Sequence, residues 1–200
     1  MASGSTHLNY TAAISIASMF IAAASNSDPL YCAIAAFSAG LFPDLDLKHS
    51  LPSKTLPLLY IFIALATTNP LIALIPFAVT SLSKHRGGTH CVVSSFVYSL
   101  PFFTFGVMPV ILSIVSYNTH LLLDDSHSSK KRKEAIEAGK KRNKMKPALR
   151  WWGEQESLIP YLLVAASITW DWLDLWKLLN LHNYASMLVN SLMTTIASST

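Results

Sequence analysis

Charge is scarce in this chain: Asp, Glu, Lys and Arg make up 13% of its 200 residues, about half the share of soluble domains, and 52% is hydrophobic. With a positive mean hydropathy, that scarcity argues against an ordinary soluble domain and for one compact helical unit in a membrane. Cysteine is scarce too. Cys32 and Cys91 lie in apolar surroundings without CxxC spacing, so they read as small buried hydrophobes and give no disulfide framework. No basic residue precedes Lys48. The positively charged start of a cleavable signal peptide is therefore missing, and the apolar N-terminal run is expected to stay as mature structure. What charge there is sits together. Ten of the fifteen Lys and Arg fall between Lys130 and Arg150; with Glu134 and Glu137 that segment carries +8, which leaves −4 for the rest.

The apolar runs predict an all-α fold, a compact multi-helix bundle of short helical hairpins embedded in the membrane. Leu8 to Ser27 is uncharged and long enough to cross most of a bilayer as a helix. Asp28-Pro29 breaks it, and Leu30 to Phe42, at thirteen residues, falls short of the roughly 20 that a full span needs. Leu56 to Thr68 and Leu71 to Leu82 form a pair split at Asn69-Pro70. Cys91 to Thr119 contains no acidic, basic or histidine residue and divides near Pro101 to Pro109 into two helices, the second ending near His120 and Asp124. Leu158 to Leu179 and Tyr184 to Ile196 close the chain, and no internal repeat is evident. Three segments follow: a helical membrane core over 1–126, a basic cytoplasmic loop over 127–152, and C-terminal membrane helices over 153–200.

Polar residues interrupt the runs in a few dense clusters. Ser83-Lys84-His85-Arg86-Gly87-Gly88-Thr89-His90 is the densest. On an unbroken helix its two histidines, five residues apart, would diverge by roughly 140°. A turn at Gly87-Gly88, with Thr89 as N-cap and His90 in the first turn of the next helix, would let both face one object, with Arg86 favouring an anion beside it. A basic interfacial loop between two membrane helices fits the same residues. Asp44-Leu45-Asp46 follows Pro43, and residues two apart share a side only where the chain is extended, so convergence of these carboxylates predicts a loop. The alternative is an N-cap aspartate for the next helix. His120 and Asp124, four apart, stack on one helical face close enough to share a metal ion; a simple helix-terminal carboxylate is the plainer reading.

If each apolar run crosses or dips and returns, His7, Asp44 with Asp46, His85 and His120 with Asp124 all arrive on one side. The basic segment follows on that side, which the positive-inside rule makes cytoplasmic. Lys130 to Arg150 suits contact with anionic headgroups; nucleic acid is disfavoured because no aromatics are interleaved with the charges. Trp151-Trp152 suits the membrane interface.

Thr6-His7, Phe42-Pro43-Asp44-Leu45-Asp46 with Ser50, His85-Arg86-Gly87-Gly88-Thr89-His90, and Thr119-His120 with Asp124 resemble, in that order, the motifs of the YdjM-like family. Its members are described as membrane-bound, metal-dependent hydrolases, some under LexA control. The resemblance covers roughly residues 6–125, and the histidine-arginine-glycine element is its most specific part. Cys91 stands where the family commonly has Ser, and Asp125-Ser126-His127 replaces the usual continuation with Thr and Gly. The second departure opens a place for His127 as an additional ligand.

The resemblance implies a metal site built by His7, Asp44, His90, His120 and Asp124, with Asp46 and His85 as further ligands or as groups that hold the ligands. Mixed imidazole and carboxylate ligation suits a divalent ion, Zn²⁺ first, and this many candidates leaves room for one or two ions. Asp46 is the candidate general base and Arg86 the candidate holder of a phosphate oxygen. The expected activity is hydrolysis of a phosphoester in a membrane lipid or lipid-linked substrate by metal-activated water. The competing expectation is a non-catalytic metal-binding membrane protein whose basic loop engages lipid or a partner. A transporter fits less well, because the ionisable groups gather at one interface instead of mid-span.

Overall fold

The computed structural model of the chain describes residues 4–47, 49–83, 87–137, 151 and 157–172, with side-chain surroundings for 6–47, 49–83, 87–126, 151 and 157–171. Among the described residues the protein is helical without strands. The helices are α1 (Gly4–Ala24), α2 (Pro29–Leu41), α3 (Leu51–Thr67), α4 (Pro70–Leu82), α5 (Val92–Ser99), α6 (Val107–Glu137) and α7 (Ile159–Trp172). Two 3-10 segments join them, Phe42–Asp46 after α2 and Leu100–Phe105 after α5. The expected run Tyr184 to Ile196 lies outside the described residues.

Local chemistry sets most of the boundaries. The Asp28 carboxylate accepts from the Leu30 and Tyr31 amides at 2.8 and 3.2 Å, and Pro29 opens α2 where its missing N–H costs nothing. Asn69 and Pro70 do the same for α4. Ser50, not an aspartate, caps α3 by accepting from the Ser53 amide at 3.2 Å. That cap and Pro52 start α3 at Leu51, five residues before the apolar run at Leu56. Gly106, at φ 110°, ends the second 3-10 segment in a backbone region closed to most side chains and lets the chain turn into α6.

α6 differs most from expectation. It does not stop near Asp124 but runs on to Glu137, passing through position 126 without a break. No glycine or proline occurs between Pro109 and Gly139, so nothing in the sequence ends it. His120 and Asp124 therefore project from the middle of a long helix.

α1, α2 and α6 pack as one group and α3, α4 and α7 as another; the first 3-10 segment touches α2, α3, α4 and α6, while α5 bridges α6 and α7. Phe42 sits at the junction, fully buried, with ring centroids of Tyr98 at 4.5 Å, Tyr60 at 5.9 Å and Tyr117 at 6.2 Å. Asn69 ties α4 to α7, its amide donating to the Ser167 carbonyl at 2.8 Å and the Asp171 carboxylate at 2.7 Å.

The interface of α1, α2 and α6 is made of small residues. Thr11, Ser18 and Ala22 follow His7 down one face of α1, against Ala36, Ala39 and Gly40 of α2 and Ser113 and Ser116 of α6, all buried. A Cβ on Gly40 would come within 2.5 Å of Ser116 Oγ and 2.7 Å of Thr11 Cγ2, so only glycine permits this approach. Gly40→Ala is expected to destabilise the protein by about 1–3 kcal/mol through overpacking, read as a lowered unfolding midpoint in detergent, with part of the loss recovered in Gly40→Ala/Ser116→Ala.

The outer surface inverts the usual arrangement. Phe20, Leu58, Phe62, Leu65, Phe103 and Leu162 are exposed, whereas Ser38, Ser94, Ser99, Ser116 and Ser167 are buried. Two helices, over Thr6–Ala24 and Val107–Ser126, are long and apolar enough to cross a membrane. Leu51–Thr67, Pro70–Leu82, Val92–Phe105 and Ile159–Asp171 are shorter apolar helical stretches.

Candidate metal centre

His7 lies in the first turn of α1, and its neighbours on that face press against α2 and α6. On α6 the buried positions Leu112, Ser116, Tyr117, His120, Leu121 and Asp124 recur at helical spacing, so the packing that buries Tyr117 also turns His120 and Asp124 inward. Asp44 and Asp46 leave the 3-10 segment on either side of Leu45, which is buried in the core with Phe42. His90 follows a turn in which its own amide donates to the Gly87 carbonyl at 3.3 Å.

These six side chains meet. His7 Nε2 is 3.2 Å from Asp124 Oδ1, His90 Nε2 is 3.7 Å from Asp124 Oδ2, His120 Nε2 is 3.6 Å from Asp44 Oδ1, and His90 Nδ1 is 3.3 Å from Asp46 Oδ2. The His7 and His120 rings stack with centroids 3.9 Å apart, and His90 stands edge-on to His120 at 6.2 Å. All six are buried; Asp124 has no accessible surface and His90 and His120 have 1% and 2%. Two triads, His7 with His120 and Asp124, and Asp44 with His90 and His120, each bring their ligand atoms within 4.8 Å of one another and could hold a metal ion. His7 Nδ1 and His120 Nε2 are buried with no hydrogen-bond partner among the described residues, a costly condition that coordination would relieve.

His85 and Arg86 lie outside the described residues, as does the side chain of His127. The other expected positions are brought together, although two reach the site by routes other than those expected. Asp44 and Asp46 are on a 3-10 turn instead of an extended segment, and they address different imidazoles. Thr89 is not an N-cap: α5 starts at Val92 after Cys91. The Thr89 hydroxyl instead donates to Asp46 Oδ2 at 3.0 Å and lies 3.2 Å from His90 Nδ1, while its carbonyl accepts from the Tyr117 hydroxyl.

Gly40 and Tyr117 carry parts of the site, although no motif or spacing singles them out. The Gly40 carbonyl accepts from His120 Nδ1 at 2.7 Å, which leaves Nε2 facing the cluster. An apolar groove of about 340 Å³ runs between α1, α2 and α3, lined by Ser15, Ala33, Ile34, Phe37, Thr55, Leu56 and Leu59. Phe37 stands one helical turn before Gly40 on α2.

Burial by itself would lower the His90 pKa, but hydrogen bonds to the Asp124 and Asp46 carboxylates, and their charge, outweigh it and raise it to about 9. With the folded-state pKa above the unfolded value near 6.5, the stabilisation is fully present below about pH 6.5 and is lost as pH rises through 9. The chelator-treated protein is therefore expected to unfold at a lower temperature at pH 9.5 than at pH 6, with a flatter dependence in His90→Ala. An unfolding midpoint that rises over this interval would show that the carboxylates do not hold His90 protonated.

Comparison with family models, with curated proteins and with solved structures finds no match for this chain.

Proposed function

We propose that this chain is a membrane-bound, metal-dependent hydrolase that cleaves a phosphoester of a lipid or lipid-linked substrate at the cytoplasmic face of a cell membrane. One observation carries the reading: three imidazoles and two carboxylates from distant parts of the chain, His7, Asp44, His90, His120 and Asp124, converge in a buried cluster with ligand atoms at coordinating range. Charged and hydrogen-bonding groups do not gather inside an apolar bundle without compensation, and a divalent cation supplies it.

The donor set suits Zn²⁺, which takes imidazole nitrogen and carboxylate oxygen. A bound ion supplies an acidified water and polarises the group under attack. Arg86, four residues before His90 in the sequence, is the candidate partner of a phosphate oxygen. The resemblance to the YdjM-like family over residues 6–125 supplies the reaction class. The exposed apolar side chains and buried serines favour lipid as the surrounding solvent, and the groove beside Phe37 suits an acyl chain. Lys130 to Arg150 is assigned to anionic headgroups and to the cytoplasmic orientation.

Elemental analysis of the purified protein beside His90→Ala, with a phosphoester screen on mixed lipid micelles, tests the reading. Bound divalent metal in the parent chain, loss of that metal in the variant, and metal-dependent release of phosphate or a phosphorylated headgroup are expected. Equal, negligible metal in both would remove the basis of the proposal; bound metal with no turnover across phosphomono- and phosphodiester lipids would leave a metal-binding protein without this activity.

A further inference from the structure

We propose that Asp46 neither ligates the metal nor takes a proton from its water, but is a positioning residue that fixes the His90 imidazole in a centre holding one ion. The inference rests on the metal-binding reading above and assigns the one clustered carboxylate that belongs to neither triad.

The geometry separates Asp46 from Asp44 and Asp124. Asp44 and Asp124 approach Nε2 atoms, of His120 and of His7 and His90, whereas Asp46 approaches Nδ1 of His90. The two nitrogens of an imidazole point their in-plane orbitals in divergent directions, so an oxygen accepting from Nδ1–H stands on the opposite edge from an ion on Nε2. Asp46 Oδ2 also accepts from the Thr89 hydroxyl at 3.0 Å, and Thr89 Oγ lies 3.2 Å from the same Nδ1. The Thr89 carbonyl accepts from the Tyr117 hydroxyl, one turn before His120 and two before Asp124 on α6. Asp46, Thr89 and Tyr117 thus join the 3-10 turn, the turn before α5 and α6 into one brace behind His90.

The brace defines a tautomer. With the Nδ1 proton directed to Asp46, the Nε2 lone pair of His90 faces the cluster. The Gly40 carbonyl imposes the same choice on His120 by accepting from its Nδ1 at 2.7 Å. This also bears on the count of ions. Both triads include His120, and with Nδ1 engaged only Nε2 is left for coordination; one lone pair serves one ion, so the two triads cannot each be filled at the same time, which favours a single centre drawing on both. A carboxylate that orients a ligating imidazole raises its basicity, and its loss typically costs about 10–100-fold in metal affinity.

The test is Zn²⁺ affinity and stoichiometry by chelator competition on the purified full chain, compared with Asp46→Asn, Asp46→Ala and Thr89→Ala. One equivalent is expected in the parent chain. Asp46→Asn keeps an acceptor for Nδ1–H, so its affinity should fall less than that of Asp46→Ala, which should fall about 10–100-fold. The Co²⁺ absorption bands should keep the shape and intensity of an unchanged ligand number, and turnover at saturating metal should keep its acid limb. If Asp46→Ala does not fold, the graded losses in Asp46→Asn and Thr89→Ala still decide the matter. Two equivalents in the parent chain with one lost in Asp46→Asn would make Asp46 a ligand. Unchanged affinity with loss of the acid limb would make it the base, and either result overturns the proposal. No metal in the parent chain would overturn it together with the reading beneath it; one equivalent with the graded losses but no phosphoester turnover would support it while removing the hydrolase.

Discussion

His120→Ala is expected to yield a protein that enters detergent micelles and keeps its helical content, yet binds almost no divalent metal and releases no phosphate. His120 is the one side chain common to both triads, so its removal takes a ligand from each. Loss of a ligand should weaken binding by more than the roughly 10–100-fold that follows loss of a group merely orienting one. Truncation also deletes the stack on His7 and the bond to the Gly40 carbonyl, at about 1–3 kcal/mol for a buried acceptor left without its donor. His120→Gln, which offers the Gly40 carbonyl an amide N–H, separates the two effects: stability should largely return while metal binding stays weak. Metal content equal to that of the parent chain in both variants would place the ion, if any, elsewhere in the molecule.

Much of the His and Asp cluster is legible in the sequence, because periodicity and alternation are robust. The spacing of His120 and Asp124 places them on one face of any helix, and the succession of apolar runs puts His7, Asp44, Asp46, His120 and Asp124 at one end of a bundle. What was not legible depends on contacts between distant segments. Residues two apart diverge on an α-helix, so an extended segment was the natural expectation for Asp44 and Asp46; instead Pro43 opens a 3-10 turn whose tighter winding sends each carboxylate to a different imidazole. Thr89 has the composition of an N-cap, and only the arrival of Asp46 from forty-three residues away gives its hydroxyl another acceptor. Gly40 looks like one more small residue in an alanine-rich helix. Its role emerges only when α1 and α6 close on it and its carbonyl meets His120. The length of α6 was underestimated for a different reason: polarity after Asp124 suggested an end, but a helix needs a breaker to stop, and none comes before Gly139.

Phe42→Ala is expected to cost about 3–5 kcal/mol and to weaken metal binding although Phe42 is not a ligand. The ring is fully buried among Tyr60, Tyr98 and Tyr117, and it begins the turn that carries Asp44 and Asp46. Removing it opens a cavity at the meeting point of both helix groups, where neighbouring rings cannot close in without moving α3, α5 or α6. Tyr117, itself fully buried, donates its hydroxyl to the Thr89 carbonyl, so a shift of its ring is passed to the brace behind His90. Phe42→Leu keeps most of the volume and should recover most of the stability, with metal affinity near that of the parent chain. Unfolding in denaturant beside Zn²⁺ titration checks both. A large fall in stability in Phe42→Ala with unchanged affinity would mean that the two carboxylates are held by the cap at Ser50, which donates to the Asp44 carbonyl at 2.9 Å, and not by the aromatic junction.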